Sequence, residues 1–229
     1  MLEELRKQVL DANLELVRRG LVLYTFGNAS GISREEGLVA IKPSGVPYHT
    51  MRPEDLVITD LDGRIVEGTL RPSSDLPTHL VVYRSFPAIG GVAHTHSRFA
   101  TSWAQARRPI PCLGTTHADY FRGPVPVTDA LDPREIESGY EANTGECIVR
   151  RFADIDPLEV PAVLIAGHGP FCWGPSAAEA AHNAVILEYV AEMAYYSVRL
   201  AEVPQELHPA HRDTHFLRKH GASAYYGQK

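Results

Sequence analysis

A layered α/β/α fold in a single domain spanning residues 1–229 is what this sequence predicts. Three observations predict it. Helical and strand patterns alternate along the chain with no internal repeat, low-complexity run or linker between them. Two short apolar runs, Ala88-Ile89-Gly90-Gly91-Val92-Ala93 and Ala162-Val163-Leu164-Ile165-Ala166, read as buried strands. The composition, 44% hydrophobic and 22% charged, is that of a chain that buries one sizeable core.

The elements follow in order. Leu2, Leu5, Val9, Ala12 and Leu16 recur at helical spacing, and Gly20 is a natural stop. Leu21 to Tyr24 reads as extended, and Gly27-Asn28-Ala29-Ser30-Gly31 as a glycine-punctuated turn. Leu38 to Ile41 is a strand running into Lys42-Pro43-Ser44-Gly45. Leu56 to Thr59 and Arg64 to Glu67 flank Asp60-Leu61-Asp62-Gly63 as a hairpin. Asp75 to Phe86 is helical, with Pro77 in the first turn, where its missing N–H is harmless. The first apolar run then delivers His94 and His96. Residues 97–108 form a helix closed by Pro109 and Pro111, and the second run delivers His168. Ser176-Ala177-Ala178-Glu179 has the pattern of a capping box and opens a long helix to about Leu200. A last helix covers Pro209 to His220 and stops at Gly221. The tail, Ala224-Tyr225-Tyr226-Gly227, has no regular pattern.

Charge and cysteine content narrow the function classes. The net charge is −6, which disfavours a general nucleic-acid or membrane-surface role but allows a local basic site for a small phosphate. The cysteines, Cys112, Cys147 and Cys172, are odd in number and widely spaced. They suggest neither a disulfide framework nor a thiolate zinc site, and they fit a reducing, cytoplasmic setting. The first 20 residues lack the continuous apolar stretch of a secretory signal. The most apolar helical stretch, near Ala184 to Val198, is interrupted by Glu188 and Glu192 and is no membrane span.

The chemistry concentrates in a few motifs. On a strand, residues two apart face the same way, so His94-Thr95-His96 offers two imidazoles aimed at one point. His168, between two glycines, is a third ligand candidate, and Asp75 in Pro72-Ser73-Ser74-Asp75 supplies a carboxylate. A catalytic zinc commonly takes three such ligands and keeps one position open. Glycine-rich backbone at Gly27–Gly31 and Lys42–Gly45, and serines just before a helix start at Ser73 and Ser74, can cradle an anion, with Lys42 adding charge. No Walker A or Gly-x-Gly-x-x-Gly fingerprint occurs, so the anion is a small phosphorylated metabolite rather than a nucleotide. His208, His211, His215 and His220 recur at helical spacing near the C-terminus, as a second metal site or as a solvated helix face.

Taken together, these segments resemble the class II aldolase/ribulose-phosphate epimerase family along essentially the whole chain. The likeness also rests on Gly114-Thr115-Thr116-His117-Ala118-Asp119-Tyr120-Phe121, on Gly139-Tyr140-Glu141-Ala142-Asn143-Thr144-Gly145, on Gly167-His168-Gly169-Pro170, and on His220-Gly221-Ala222-Ser223-Ala224-Tyr225-Tyr226-Gly227. The Thr-Thr-His-Ala-Asp-Tyr-Phe stretch and the Tyr-Tyr-Gly tail look specific to the epimerase branch.

The resemblance implies a central, mainly antiparallel sheet. It implies one metal per subunit, typically Zn2+ with Mn2+ or Co2+ admissible, on His94, His96 and His168, with Asp75 as a further ligand or near neighbour. It implies a phosphate site of Asn28, Lys42, Ser44, Gly45, Ser73 and Ser74, and proton transfer by Asp119 and Tyr226. By residue pattern alone, Asp119 reads as a turn or cap residue and Tyr226 as a terminal aromatic. The resemblance further implies a homotetramer with active sites at subunit interfaces, where a tail from about residue 204 completes a neighbour's site. Glu141, His215 and Arg218 have family-like flanks and no assigned role, and His117 has none either.

The implied activity is the interconversion of L-ribulose 5-phosphate and D-xylulose 5-phosphate in carbohydrate metabolism, with L-arabinose breakdown as the usual setting. The C4 hydrogen is not alpha to the C2 carbonyl, so direct deprotonation does not invert C4 easily. A retro-aldol cut of C3–C4 does, leaving a dihydroxyacetone enediolate whose charge needs a Lewis acid. Two proton-transfer groups on opposite faces are then required. Two alternatives stay open. A sugar-phosphate aldolase of the same family would release its fragments; in the fuculose-phosphate branch a glutamate stands where Asp75 stands here. A non-catalytic scaffold, as in the adducin head domain, would lack the intact histidine set.

Overall fold

A computed structural model of the chain describes residues 2–226; Met1, Gly227, Gln228 and Lys229 lie outside it, so the last glycine of the tail motif is not placed. Helix α1 (Leu2–Arg18) buries the stripe Val9, Leu10, Ala12 and Leu16. It ends as its spacing predicts: Gly20 N–H donates to Val17 O and Leu21 N–H to Leu16 O, the paired bonds of a Schellman closure. Strands β1 (Asn28–Ser33), β2 (Leu38–Ile41), β3 (Val57–Asp60) and β4 (Ile65–Glu67) follow, then helix α2 (Leu76–Ser85), strand β5 (Gly91–His94), helix α3 (Arg98–Gln105) and the short helix α4 (Thr115–Ala118). Helix α5 (Pro133–Arg151), strands β6 (Ala162–Leu164) and β7 (Pro170–Gly174), helix α6 (Ala177–Leu200) and helix α7 (Pro209–His220) complete the order.

The strands form one antiparallel sheet in the order β4-β3-β2-β1-β5-β7-β6. Its two faces are distinguished by β1. Gly31 points at α1 and α6: a Cβ there would come within 2.9 Å of Val9 Cγ2 and 3.4 Å of Ala177 Cβ. Ser30 points the other way, its hydroxyl 2.7 Å from both His79 Nδ1 and Tyr83 OH of α2. Helices α1 and α6 therefore cover one face, and α2, with α5 packed against it, covers the other. This is the layered α/β/α arrangement with an antiparallel sheet that the sequence predicts.

Several local expectations are corrected. Gly27–Gly31 is not a turn but leads into β1, a strand in the middle of the sheet. The hydrophobic alternation that would have revealed it is missing for a physical reason. One face of β1 needs glycine and alanine for close helix approach, and the other carries Asn28 and Ser30 in hydrogen bonds. Leu21 to Tyr24 is no strand; Leu21 and Val22 are buried, but the chain turns at Tyr24, which sits at φ 53°. The run from Ala88 pairs only over Gly91–His94, so His96 lies beyond the strand end. The helix expected over 97–108 is shorter, Arg98–Gln105, because Arg107 takes a left-handed φ of 55°. The strand expected to reach Ala166 ends at Leu164. Helix α5, not expected from the sequence pattern, opens on a full capping box between Asp132 and Glu135. Strand β7, also not expected, begins at Pro170, where Gly169-Pro170 masks the strand pattern. At α6, Ser176 accepts from Glu179 N–H as expected. All three cysteines are free and buried. No helix among the described residues is long and apolar enough to cross a membrane.

The docking of α6 on β5 yields a test. A Cβ on Gly91 would lie 2.3 Å from Ser176 O and 2.4 Å from Ala177 N, which are backbone atoms that cannot rotate away. Gly91→Ala should lower stability by about 3 kcal/mol or more, the upper end of overpacking costs. A urea midpoint close to wild type would show that the helix start yields instead.

Candidate active site

The site begins at the end of β5. Across the sheet His94 stands opposite Asn28 of β1 and Phe171 of β7, so all three side chains rise from the same rung. Phe171 stacks on the His94 ring with centroids 4.2 Å apart. His94 Nδ1 donates to Pro170 O at 2.9 Å, which fixes the tautomer and leaves the Nε2 lone pair free. His168 sits in the tight connection from β6 to β7, held by its N–H to Ile165 O and by Ile165 N–H to Gly169 O, both 2.9 Å. Its Nδ1 lies 3.0 Å from the Tyr140 hydroxyl. His96 Nε2 is 3.1 Å from His94 Nε2 and 3.2 Å from His168 Nε2.

The three Nε2 atoms fit a metal. Two ligand nitrogens at about 2.0–2.1 Å from a tetrahedral zinc lie about 3.3 Å apart, close to both separations. Burial pushes the His94 imidazole down to about 3, and burial also lowers His96 and His168, so the rings are neutral and ready to bind. One His96 nitrogen cannot donate to two others at once, whereas a cation satisfies all three lone pairs. Among the described residues these three histidines are the group of potential metal ligands that converges on one point. Asp75 is not part of it. Its carboxylate lines the same cavity and accepts from Asn28 Nδ2 at 2.6 Å. The carboxyl lies below its usual range: burial works against its ionisation, and the hydrogen bond from Asn28 Nδ2 favours it.

The cradle expected for an anion lies at the other end of the cavity. Segment 42–45 is tied to segment 71–74 by Ser44 N–H to Arg71 O and Ser73 N–H to Lys42 O, both 2.9 Å. The Lys42 side chain is buried with only Pro43 O, 3.1 Å away, as a hydrogen-bond acceptor and the Tyr48 ring beneath it at 4.8 Å. No carboxylate is paired with it in the described ion pairs, and burial pushes Lys42 down to about 8. Asn28, Lys42, Ser44, Gly45, Ser73, Ser74, Asp75 and the three histidines together line one cavity of about 400 Å³.

Residues 7–195 match the model of the class II aldolase and adducin N-terminal domain. The chain belongs to the class II aldolase and adducin family. It is 51% identical over 228 residues, the full length of both chains, to L-ribulose-5-phosphate 4-epimerase UlaF of Salmonella paratyphi B. Among solved structures it is similar to an L-fuculose 1-phosphate aldolase, with TM-score 0.79, 25% identity, and 93% and 94% of the two chains covered. It is also similar to YgbL of Klebsiella pneumoniae, a putative aldolase/epimerase/decarboxylase, with TM-score 0.74, 25% identity and 93% and 98% coverage. A histidine group able to hold a metal, at the end of an antiparallel sheet, thus occurs in a family of metal-dependent enzymes acting on sugar phosphates.

Two of the expected site residues lie elsewhere. Asp119, at the end of α4, is held by His215 Nδ1 at 3.0 Å and by Arg218 through Nε at 3.2 Å and Nη2 at 3.0 Å. Tyr226 folds back so that Arg218 lies 4.6 Å from its ring centroid. The pair is thus gathered around Arg218, and neither residue lines the cavity. The C-terminal histidines have separate tasks: His208 Nδ1 accepts from Ala210 N–H, His215 holds Asp119, and His220 Nε2 donates to Asp119 O. His117 donates from Nε2 to Gly123 O at 2.7 Å. Phe26, which no sequence motif marks, stacks on His96 with centroids 6.1 Å apart, and Tyr140, which stands without a role in the Gly139–Gly145 motif, reaches His168. Both follow from neighbouring glycines. Gly27, at φ 85°, lies against His94 O, and Gly139, at φ 151°, breaks α5 just before Tyr140.

Lys42 gives a measurable pH signature. Its folded value lies below its ordinary 10.5, so the charged form disfavours folding. That penalty is complete below about 8 and fades as pH rises toward 10.5. In phosphate-free buffer the Lys42 side-chain carbon resonance should titrate near 8, and added phosphate should move the midpoint up. A midpoint at 10.5 without phosphate would show a hydrated, unperturbed ammonium.

Proposed function

We propose that this protein is a metal-dependent L-ribulose-5-phosphate 4-epimerase. The observation that carries the reading is the pairing, in one cavity, of three converging imidazole nitrogens with a buried, unpaired lysine that belongs to one of two tied serine-containing segments. The full-length likeness to a relative of that name chooses the reaction within the family. The whole chain, residues 1–229, acts as one domain.

In this reading Lys42 and the backbone and hydroxyls of Ser44, Gly45, Ser73 and Ser74 hold the 5-phosphate, with Asn28 beside them. Phosphate at Lys42 restores the ammonium charge that burial disfavours. That anchor retains glycolaldehyde phosphate after C3–C4 cleavage, so the aldehyde can rotate and be attacked on its other face. A divalent cation on His94, His96 and His168 would supply Lewis-acid stabilisation of the charge left on the three-carbon fragment. Three imidazoles suit zinc, with manganese and cobalt also able to fill the site. Asn28 orients the Asp75 carboxylate toward the same end of the cavity, where its charge favours a cation.

Epimerisation needs one group to take the C4 hydroxyl proton and another, on the opposite face, to return one. Asp119 and Tyr226 are those groups. Because both lie off the cavity in their own chain, they serve the cavity of a neighbouring copy, in a homotetramer with sites at its interfaces. The tail from about residue 204 is the segment that crosses. The setting is cytoplasmic pentose breakdown, L-arabinose included, with no nucleic acid or membrane as partner.

The direct test is conversion of L-ribulose 5-phosphate to D-xylulose 5-phosphate by zinc-loaded protein, with and without chelator. Chelator-sensitive conversion supports the reading, whereas steady release of dihydroxyacetone and glycolaldehyde phosphate moves it to the aldolase branch. His96→Ala should lose metal and activity together, and full turnover by a metal-free sample would overturn the metalloenzyme assignment. Tyr226→Phe should keep metal and fold while kcat drops about 100-fold or more, the usual scale for a lost proton-transfer group. An unchanged kcat would remove Tyr226 from the chemistry.

A further inference from the structure

The segment carrying His96 has two ends, and only one is secured by the sheet. On the β5 side His94 is fixed by strand pairing and by its bond to Pro170 O, and Thr95 N–H reaches the same carbonyl at 3.4 Å. Past His96 the chain has left the strand and enters α3 at Ser97. Ser97 occupies the N-cap position with extended dihedrals, where a serine ordinarily accepts from the second or third helical N–H. Here it accepts from neither, and its buried hydroxyl has no partner. Those two N–H groups, of Phe99 and Ala100, donate instead to Glu188 Oε1 at 2.8 Å and Oε2 at 2.9 Å.

We infer that Glu188, on α6, is a positioning residue for the metal centre: its carboxylate clamps the start of α3 and thereby fixes the free end of the His96 segment. A carboxylate at a helix N-terminus meets both unsatisfied donors and the positive end of the helix dipole, so the clamp is both directional and charged. Helix α6 is itself anchored on β5 and β7, the strands that set His94 and bound the His168 turn. Glu188 therefore refers His96 to the same frame as the other two ligands. A second tie between α3 and α6, Trp103 Nε1–H to Ala191 O at 3.0 Å, sits at the far end of α3 and holds the helix without touching its first turn.

The inference rests on the proposed metal role of the three histidines, and the experiment separates the two. Apo full-length protein is titrated with cobalt(II), read by its visible ligand-field band, with circular dichroism as a check on folding. Glu188→Ala should bind cobalt about tenfold more weakly, the lower end of what loss of an outer partner costs, and with an altered band. Glu188→Gln, which keeps an acceptor oxygen, should fall between it and wild type, and it decides the matter where Glu188→Ala fails to fold. At saturating metal the Glu188 variants should lose kcat with KM for the sugar phosphate unchanged. Trp103→Phe should lower Tm yet keep wild-type cobalt affinity and band. Folded Glu188 variants with the wild-type band and affinity would overturn the inference, as would an equal loss in Trp103→Phe. A wild-type protein that takes up no cobalt would overturn the metal reading and, with it, this one.

Discussion

The rung that places Asn28, His94 and Phe171 side by side across β1, β5 and β7 is the constraint on which the site depends. Strand pairing puts the three Cα atoms in line, and the pleat sends their side chains to one face. Each then organises a different part of the cavity. Phe171 supports the His94 ring from below, His94 directs Nε2 into the opening, and Asn28 reaches Asp75 at the start of α2. A one-residue slip of β5 would turn His94 to the α1 and α6 face, so the close packing of Gly31 and Gly91 under those helices guards the site as well as the core.

The electrostatics of the cavity follow from what has been buried without a partner. Imidazoles removed from water lose their protons first, so the histidine end offers lone pairs rather than charge. The lysine end is the reverse case, an ammonium taken out of water with only a carbonyl to receive it. Each end would be relieved by a ligand of opposite character, a cation at one and an anion at the other. A phosphorylated sugar with vicinal oxygens matches both ends at once, which a neutral sugar does not.

Asp119 and Tyr226, the groups proposed for proton transfer, lie apart from this cavity within one copy. Asp119 is pinned by Arg218 and His215, and Tyr226 is laid over the same guanidinium, so the C-terminal helix and tail form a preassembled unit rather than a loose end. In the proposed assembly such preassembly would favour docking, because side chains ordered beforehand lose less entropy.

Much of this was legible from the residues. Apolar periodicity marked α1, the strands that deliver His94 and His168, and the capped start of α6; the glycine and serine motifs marked the cradle. These signals are local, because burial of one face or capping of one end imposes its own spacing. What the tertiary structure alone decided is non-local. The central strand β1 looked like a turn because its two faces are read by α1, α6 and α2, not by its own neighbours in sequence. His96 lies past the strand end, so its convergence on His94 comes from the path into α3, not from the two-residue alternation that first singled it out. Phe26, Tyr140 and Glu188 join the site from distant segments through packing and hydrogen bonds that carry no spacing in the chain. The sequence by itself determined which side chains could hold a metal and a phosphate. Only the folded sheet and its helices decided the distances between them, because those distances are set by pairing partners 28 to 94 and 94 to 171, far apart in the chain.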